Sequence, residues 1–245
     1  MKKETEIKTI TIGDLHGRND WKYIYFAKYD KIIFIGDYVD SRYYTDAEIL
    51  ANLKHLIELK ELHPDRFVLL LGNHDIQYLY PGQFPCSGFR PKMEKKLHKL
   101  FNDNKAKFQV AFQLNNYLWT HAGVSKDWYE KHLKTINKFK SEHHSSNLAD
   151  ILNLISNSEY YYILHTPGYI RGGKYGSDGG ITWADIKETK KNHLKGYHQI
   201  VGHTKVDSII RFGRSKSSIT YVDCLETEIK FHELKINDAE VNFPT

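Results

Sequence analysis

Three apolar runs in the first 75 residues end alike, and this repetition constrains the fold more than any other feature. The runs at 8–12 (KTITI), 31–35 (KIIFI) and 66–71 (RFVLLL) each reach a glycine, followed at once by Asp14, Asp37 or Asn73. Short β-branched and apolar runs of this length suit buried strands. Between the second and third, Asp46–Leu62 carries Ile49, Leu50, Leu53, Leu56, Ile57 and Leu59 at a helical period. Thr45 or Asp46 can cap that helix, and His63-Pro64 stops it. Strand, helix and strand in this order make a βαβ unit and hence a parallel sheet.

In open parallel sheets, ligands gather outside the carboxyl ends of the strands. The polar residues delivered there are therefore site candidates. His16 stands two positions after Asp14, and His74 directly after Asn73. Side chains at i and i+2 of extended chain leave on one face, so Asp14 and His16 can converge on a point. A carboxylate and an imidazole at one point begin a divalent-metal site.

The remaining chain supplies more such ends. Residues 20–29 are expected to form a short helix, and 92–102 a helix with a solvated lysine face. Residues 108–114 and Tyr117–Thr120 read as a hairpin around Asn115-Asn116, the second arm ending in His121-Ala122-Gly123. A helix is expected over 127–139, an exposed loop over 140–147 with His143 and His144, and another helix over 148–155. Residues 168–180 hold six glycines and cannot be a packed element. Arg171 within that run favours a loop that approaches substrate over a plain linker. His198–Val201 is a short strand ending in Gly202-His203-Thr204. Three β runs at 208–212, 218–223 and 228–234 are expected to form a meander, as a second sheet or its edge. With no internal repeat and no linker, residues 1–245 read as a single domain.

Bulk composition narrows the function. No apolar run approaches ~18 residues, so no transmembrane helix is expected. The start, MKKETEIKTI, lacks the apolar core of a secretory signal. Cys86 and Cys224 are too few for a disulfide framework and suit a reduced, cytoplasmic setting. The net charge of +5 helps to draw in an anion such as phosphate. Scattered lysines without interleaved aromatics do not make a nucleic-acid footprint.

Collected, the strand-end residues are Asp14, His16, Asp37, Asn73, His121 and His203, with Asp40 and His74 alongside. Two carboxylates, an amide and three imidazoles are enough for two divalent ions, with Asp37 able to bridge them. Such a bridge holds metals ~3.5–4 Å apart, the separation used for in-line attack on phosphorus. The ligands are all nitrogen and oxygen, which suits manganese foremost, with iron or zinc as alternatives. The other histidines, His165 and His232 among them, read as ordinary part-buried side chains.

Five ordered blocks complete the pattern: GDLHG (13–17), GDYVD (36–40), GNHD (72–75), HAG (121–123) and GHT (202–204). In these the chain resembles the calcineurin-like metallophosphoesterases, and most closely their phosphoprotein (Ser/Thr) phosphatase branch. The resemblance implies an α/β fold, a four-layer αββα sandwich of two mixed β-sheets flanked by helices. It implies that Asp14, His16 and Asp37 hold one metal, and Asp37, Asn73, His121 and His203 the other. A metal-bridging hydroxide would then attack a phosphate monoester of a phosphoprotein, phosphorylated small molecule or nucleotide. His74 would be the general acid for the departing oxygen, and Asp40 the carboxylate that keeps it protonated.

Details within the blocks favour the phosphatase branch. Lys205 stands where many phosphodiesterases of the superfamily have a second histidine, and Thr182–Asp185 is similar to a tryptophan segment of the phosphatases. Other positions depart from it. The branch has Asp-Arg-Gly where this chain has Asp40-Ser41-Arg42, so the phosphate-gripping arginine is shifted to Arg42. Asp75 stands where most members have Glu, and Arg171 is the substitute for a second phosphate-binding arginine. Arg18 is a possible further contact. The alternative is a bis(5'-nucleosyl)-tetraphosphatase, whose relatives share the GNHD block and a stretch similar to THAGVSKDW (120–128). A phosphodiesterase or a non-catalytic scaffold ranks lower, because a scaffold predicts lost ligands and none is lost here.

Overall fold

The computed structural model describes residues 6–174 and 178–237. Within them β1 (Glu6–Ile12), β2 (Lys31–Phe34) and β3 (Phe67–Leu70) pair in parallel. The helix α1 (Asp46–Leu62) crosses between β2 and β3, as the spacing requires. Thr45 and Glu48 close a reciprocal capping box at its start. The short helix α2 (Asn73–Leu79) begins directly after Gly72. α3 (Glu94–Asp103) follows on the surface with its lysines exposed.

The expected hairpin is divided between two sheets. β4 (Phe108–Gln109) pairs with β3, whereas β5 (Ala111–Leu114) pairs with β6 (Tyr117–Thr120). The Asn153 side chain holds the crossing point, its Oδ1 accepting from the N–H groups of Val110 and Ala111 at 2.9 and 3.1 Å. After α4 (Lys126–Lys131), α5 (Leu133–His143), α6 (Leu148–Ser156), α7 (Tyr162–His165) and α8 (Ile186–Thr189), the chain enters β7 (His198–Val201). β8 (Ile210–Arg214) and β9 (Ser217–Tyr221) complete the second sheet. The third β run does not extend the meander. β10 (His232–Asn237) returns to the first sheet and lies antiparallel to β1. The orders are β10-β1-β2-β3-β4 and β5-β6-β7-β9-β8, both mixed.

Two helical expectations and one loop expectation need correction. Residues 20–29 form two 3₁₀ turns, Asp20–Tyr23 and Phe26–Lys28. Trp21 is buried, but Tyr23 and Tyr25 face solvent, so no continuous apolar stripe supports a longer helix. The helix expected over 127–139 breaks at His132 into α4 and α5. α5 then runs into the segment expected to be a loop, because Ile136 and Phe139 are buried and Phe139 stacks on His143. His144 ends it in a left-handed conformation. Of the glycine-rich run, Tyr169–Arg171 forms a 3₁₀ turn, and residues 175–177 lie outside the described residues.

Alternation along the strands builds the layers. Ile32, Phe34, Phe67 and Leu69 pack with the α1 residues Ile49, Leu53 and Leu56, whereas Ile33, Ile35, Val68 and Leu70 meet Trp119, Ile200 and Val222 of the second sheet. Trp119 also donates Nε1–H to Thr11 Oγ1 across the sandwich, at 2.9 Å. α6 covers β5, and Ile186 of α8 packs on Val201, Ile219 and Tyr221. The result is the four-layer αββα sandwich with the carboxyl ends of β1, β2, β3, β6 and β7 gathered at one rim.

Candidate metal centre

Several of the strand ends deliver their residues through backbone that ordinary packing does not favour. Six non-glycine residues among those described have positive φ, and four of them are His16, Asp37, Asp40 and His203. The left-handed conformation costs a non-glycine residue about 1 kcal/mol or more, and such strain concentrates at functional sites. The two remaining cases, Asn115 and His144, sit in a hairpin turn and at a helix end. Close approach explains two glycines. A Cβ on Gly72 would strike the Asp37 carboxylate, and one on Gly202 would strike that of Asp14.

The side chains so delivered converge on one pocket of about 750 Å³. His16 fixes its ring by pairing Nδ1 with the Val39 carbonyl at 2.8 Å, leaving Nε2 3.8 Å from Asp37 Oδ2. His121 does the same with the Ile35 carbonyl at 2.9 Å, so its Nε2 faces Asn73 Oδ1 at 3.1 Å and Asp37 Oδ2 at 3.4 Å. His203 Nδ1 lies 2.8 Å from the same Asn73 oxygen, and its backbone N–H donates to Asp14 at 3.0 Å. His74 N–H donates to Asp37 Oδ1 at 2.9 Å. All six sequence-nominated ligand residues are therefore brought together, around Asp37. Among the described residues three groups have potential ligand atoms mutually within 4.8 Å: His16, Asp37 and His74; Asp37, His121 and His203; and Asp40, His74 and Cys86.

The electrostatics of this cluster fit divalent cations. Burial, then the neighbouring Asp223 carboxylate, pushes Asp14 well above the usual carboxylate range. Burial likewise lifts Asp223 to about 6, with Asp37 adding to it. Burial opposes protonation of His121, yet the charges of Asp37 and Asp14 raise it to about 9. Since Nδ1 is committed to a carbonyl, the extra proton sits on Nε2, among carboxylate and amide oxygens. Burial lowers both His16 and His203 and keeps them neutral, as ligation requires. The buried Nε2 of His203 has no hydrogen-bond partner.

Beside the cluster, His74 Nδ1 lies 3.0 Å from Asp40 Oδ2. Asp40 is also held by the Tyr78 hydroxyl and the Gln77 amide. Burial disfavours the charged ring, but Asp37 and the Asp40 hydrogen bond outweigh it and raise His74 well above the ordinary histidine value. Three arginines line the pocket. Arg42 is exposed at the rim. Arg171 is positioned by Asp185 at 2.7 Å and by Thr204 Oγ1 at 2.9 Å. Arg18 is buried, 3.4 Å from Glu226 Oε1.

A sequence profile described as calcineurin-like phosphoesterase matches residues 7–207. The chain belongs to the calcineurin-like phosphoesterase family. Over 155 residues it is 27% identical to the catalytic subunit of serine/threonine-protein phosphatase 4 of Kluyveromyces lactis, covering 57% of this chain and 47% of that one. A putative serine/threonine-protein phosphatase of Schizosaccharomyces pombe is 26% identical over 151 residues, covering 58% and 47%. The matches thus span about half the length of these relatives. Among solved structures, the cold-active protein-tyrosine phosphatase of a psychrophilic Shewanella species superposes with a TM-score of 0.54 at 18% identity, over 89% of this chain and 71% of that one. A serine/threonine phosphatase of Saccharomyces cerevisiae gives 0.50 at 19% identity, over 89% and 67%. These superpositions establish the shared fold.

Several residues that build this pocket escape a reading of the sequence. Asp75 turns away from the pocket and accepts the N–H groups of Asp37, Tyr38 and Gly72 at 2.8, 3.0 and 2.9 Å, tying two strand ends together. The shorter Asp reaches all three because it caps α2 from its own first turn. Arg90 grips Asp46 and the carbonyls of Ser41 and Tyr44, fixing the loop that carries Arg42. Asp223 and Glu226 follow β9 into the pocket wall. The one available signal was positional: Asp223, like Asp14 and Asp37, lies just past a strand end.

Proposed function

We propose that this phosphoesterase hydrolyses phosphate monoesters of the kind carried by phosphoproteins, with two divalent cations, manganese foremost. Asp14, His16 and Asp37 would hold one, and Asp37, Asn73, His121 and His203 the other. Cations bound there would offset phosphate charge and lower the pKa of water towards neutrality. The chain's own groups do the rest. Arg42 and Arg171 grip the phosphate oxygens, with Arg18 as a further contact, as suits a planar fork facing a dianion. His74, kept protonated beside Asp40, gives its proton to the departing oxygen, and Asp40 fixes the ring that does so.

The observation that carries this reading is the His74–Asp40 pair, a charged proton donor set against a cluster of metal ligands in one pocket. The kinship with protein phosphatases supports a phosphoprotein substrate. Residues 1–245 are read as one domain acting in the cytoplasm. Cys86 and Cys224 are unpaired, and no helix among the described residues is long and apolar enough to cross a membrane.

A substrate panel with added Mn²⁺ tests the proposal: p-nitrophenyl phosphate, its bis-ester, phosphopeptides and diadenosine tetraphosphate. The monoesters and phosphopeptides are expected to turn over fastest. Preferred turnover of the bis-ester or of diadenosine tetraphosphate would sink the monoesterase reading.

A further inference from the structure

A second groove lies at the opposite end of the second sheet from the metal centre. β7 and β9 run in parallel, and their carboxyl ends lead to His203 and Asp223. The groove is built instead around their amino ends, from the segment after α8 and the β8–β9 turn. The five residues of β9 separate the two places by roughly 15 Å. Its volume is about 800 Å³.

Five cationic residues line it: Lys190, Lys191, Lys195, Arg214 and Lys216. All five are exposed. Among the described residues no carboxylate pairs with any of them. Lys190 lies over the Phe212 ring at 4.4 Å. Like charges crowded without counter-charges repel, so the cluster costs free energy until an anion fills it. Sequence alone hides the cluster, because some twenty residues separate its two halves.

The floor of the groove points the same way. His193 lines it and is only 3% exposed. Its imidazole faces the backbones of Ser217, Thr189 and Lys190, which hold it only through long or bent hydrogen bonds. Ser217 Oγ, in the same wall, is buried and lacks a partner. Buried polar groups are normally well satisfied, so a weakly held imidazole and an unpartnered hydroxyl under a ring of cations suit a ligand with acceptor oxygens.

We infer that this groove binds a small anion carrying several clustered phosphates, either a linear oligophosphate or a multiply phosphorylated ring. A single phosphate dianion would leave three of the five positive charges unmatched. No exposed aromatic side chain lines the groove for base stacking, which disfavours a nucleic-acid strand. The ring oxygens or bridging oxygens of the ligand would meet His193 and Ser217, while the lysines and Arg214 take its charge.

Lysine acetylation footprinting by mass spectrometry tests this on the intact chain at about 0.15 M salt, where weak surface attraction is screened. Tripolyphosphate and inositol hexakisphosphate are the two ligand arms, and polyglutamate of matched charge is the control. Either phosphate ligand is expected to protect Lys191, Lys195 and Lys216 about threefold or more relative to the exposed Lys54 on α1. The arm protecting at lower concentration identifies linear or ring geometry. The Arg214→Ala/Ser217→Ala variant is expected to need about tenfold more ligand, with unchanged thermal melting and unchanged turnover of p-nitrophenyl phosphate. Protection no greater than at Lys54, equal protection by polyglutamate, or an unaltered concentration dependence in the variant overturns the inference.

Discussion

His74 Nδ1 and Asp40 Oδ2 stand 3.0 Å apart, and the Tyr78 hydroxyl and Gln77 amide hold the same carboxylate from behind. Asp40 therefore cannot swing away, and the ring plane of His74 is fixed before any substrate arrives. Asp40 comes from the loop after β2, and His74 from the first turn of α2, just past the adjacent parallel strand β3. A proton donor placed this way matters in proportion to how poor the leaving group is.

The His74→Gln variant is accordingly expected to lose ~10²–10⁴-fold in kcat on an alkyl phosphate or phosphoserine peptide. On p-nitrophenyl phosphate, whose leaving group needs little help, the loss should be far smaller. Asp40→Asn should repeat the pattern in weaker form. Equal losses on both substrates would remove the proton from His74's role.

Asp37 lies between the two halves of the cluster, with its Oδ2 3.4 Å from His121 and 3.8 Å from His16. Asp37→Asn keeps the shape but halves the acceptor capacity and removes the charge. We expect loss of bound metal, measured by elemental analysis, together with activity near background. Circular dichroism should remain native. A variant with full activity would refute the bridging assignment.

The arginines should separate in kinetics. Arg42 is exposed and unanchored, so Arg42→Ala should chiefly raise KM, by about tenfold for one lost charge-assisted contact. Arg171 is held by Asp185 and Thr204, so Asp185→Asn should mimic part of the Arg171→Ala defect. If Asp185→Asn matches wild type while Arg171→Ala does not, the anchoring has no effect. An unchanged KM in Arg42→Ala means that it does not grip phosphate.

The clustering of these residues at one rim was legible because each strand announces its own end. Apolar runs that stop at Gly13, Gly36 and Gly72 place the next polar residue at the rim, whatever the details of the sheet. The partition of the strands was not legible. A period of two tells which face a residue takes but not which sheet it joins, so Phe108 and Ala111 looked like one strand and His232 looked like part of the meander. Asn153, which divides the first, and the open edge of β1, which captures the second, are far away in sequence. The support shell was hidden for a similar reason. Asp75 and Arg90 act on backbone groups of distant turns, and no spacing rule encodes such contacts.

His165 offers a test of stability that is independent of the metal centre. It is fully buried, packed edge-on against Phe84 with ring centroids 5.5 Å apart, and pairs Nδ1 with Thr182 Oγ1 at 3.1 Å. Burial drives its pKa down to about 3. The unfolded chain binds a proton there below about pH 6.5, while the folded chain refuses it until near the lowered value. Between those limits the unfolded state holds more protons, so stability falls as pH falls. From about pH 7.5 to about pH 5 this one residue should cost about 2 kcal/mol, at 1.4 kcal/mol per pH unit below 6.5. The His165→Phe variant leaves the Thr182 hydroxyl bonded to the Leu164 carbonyl and has nothing to titrate. Urea unfolding at the two pH values should therefore show a smaller acid penalty in the variant by about that amount. The same penalty in both proteins would mean that the folded chain already accepts the proton.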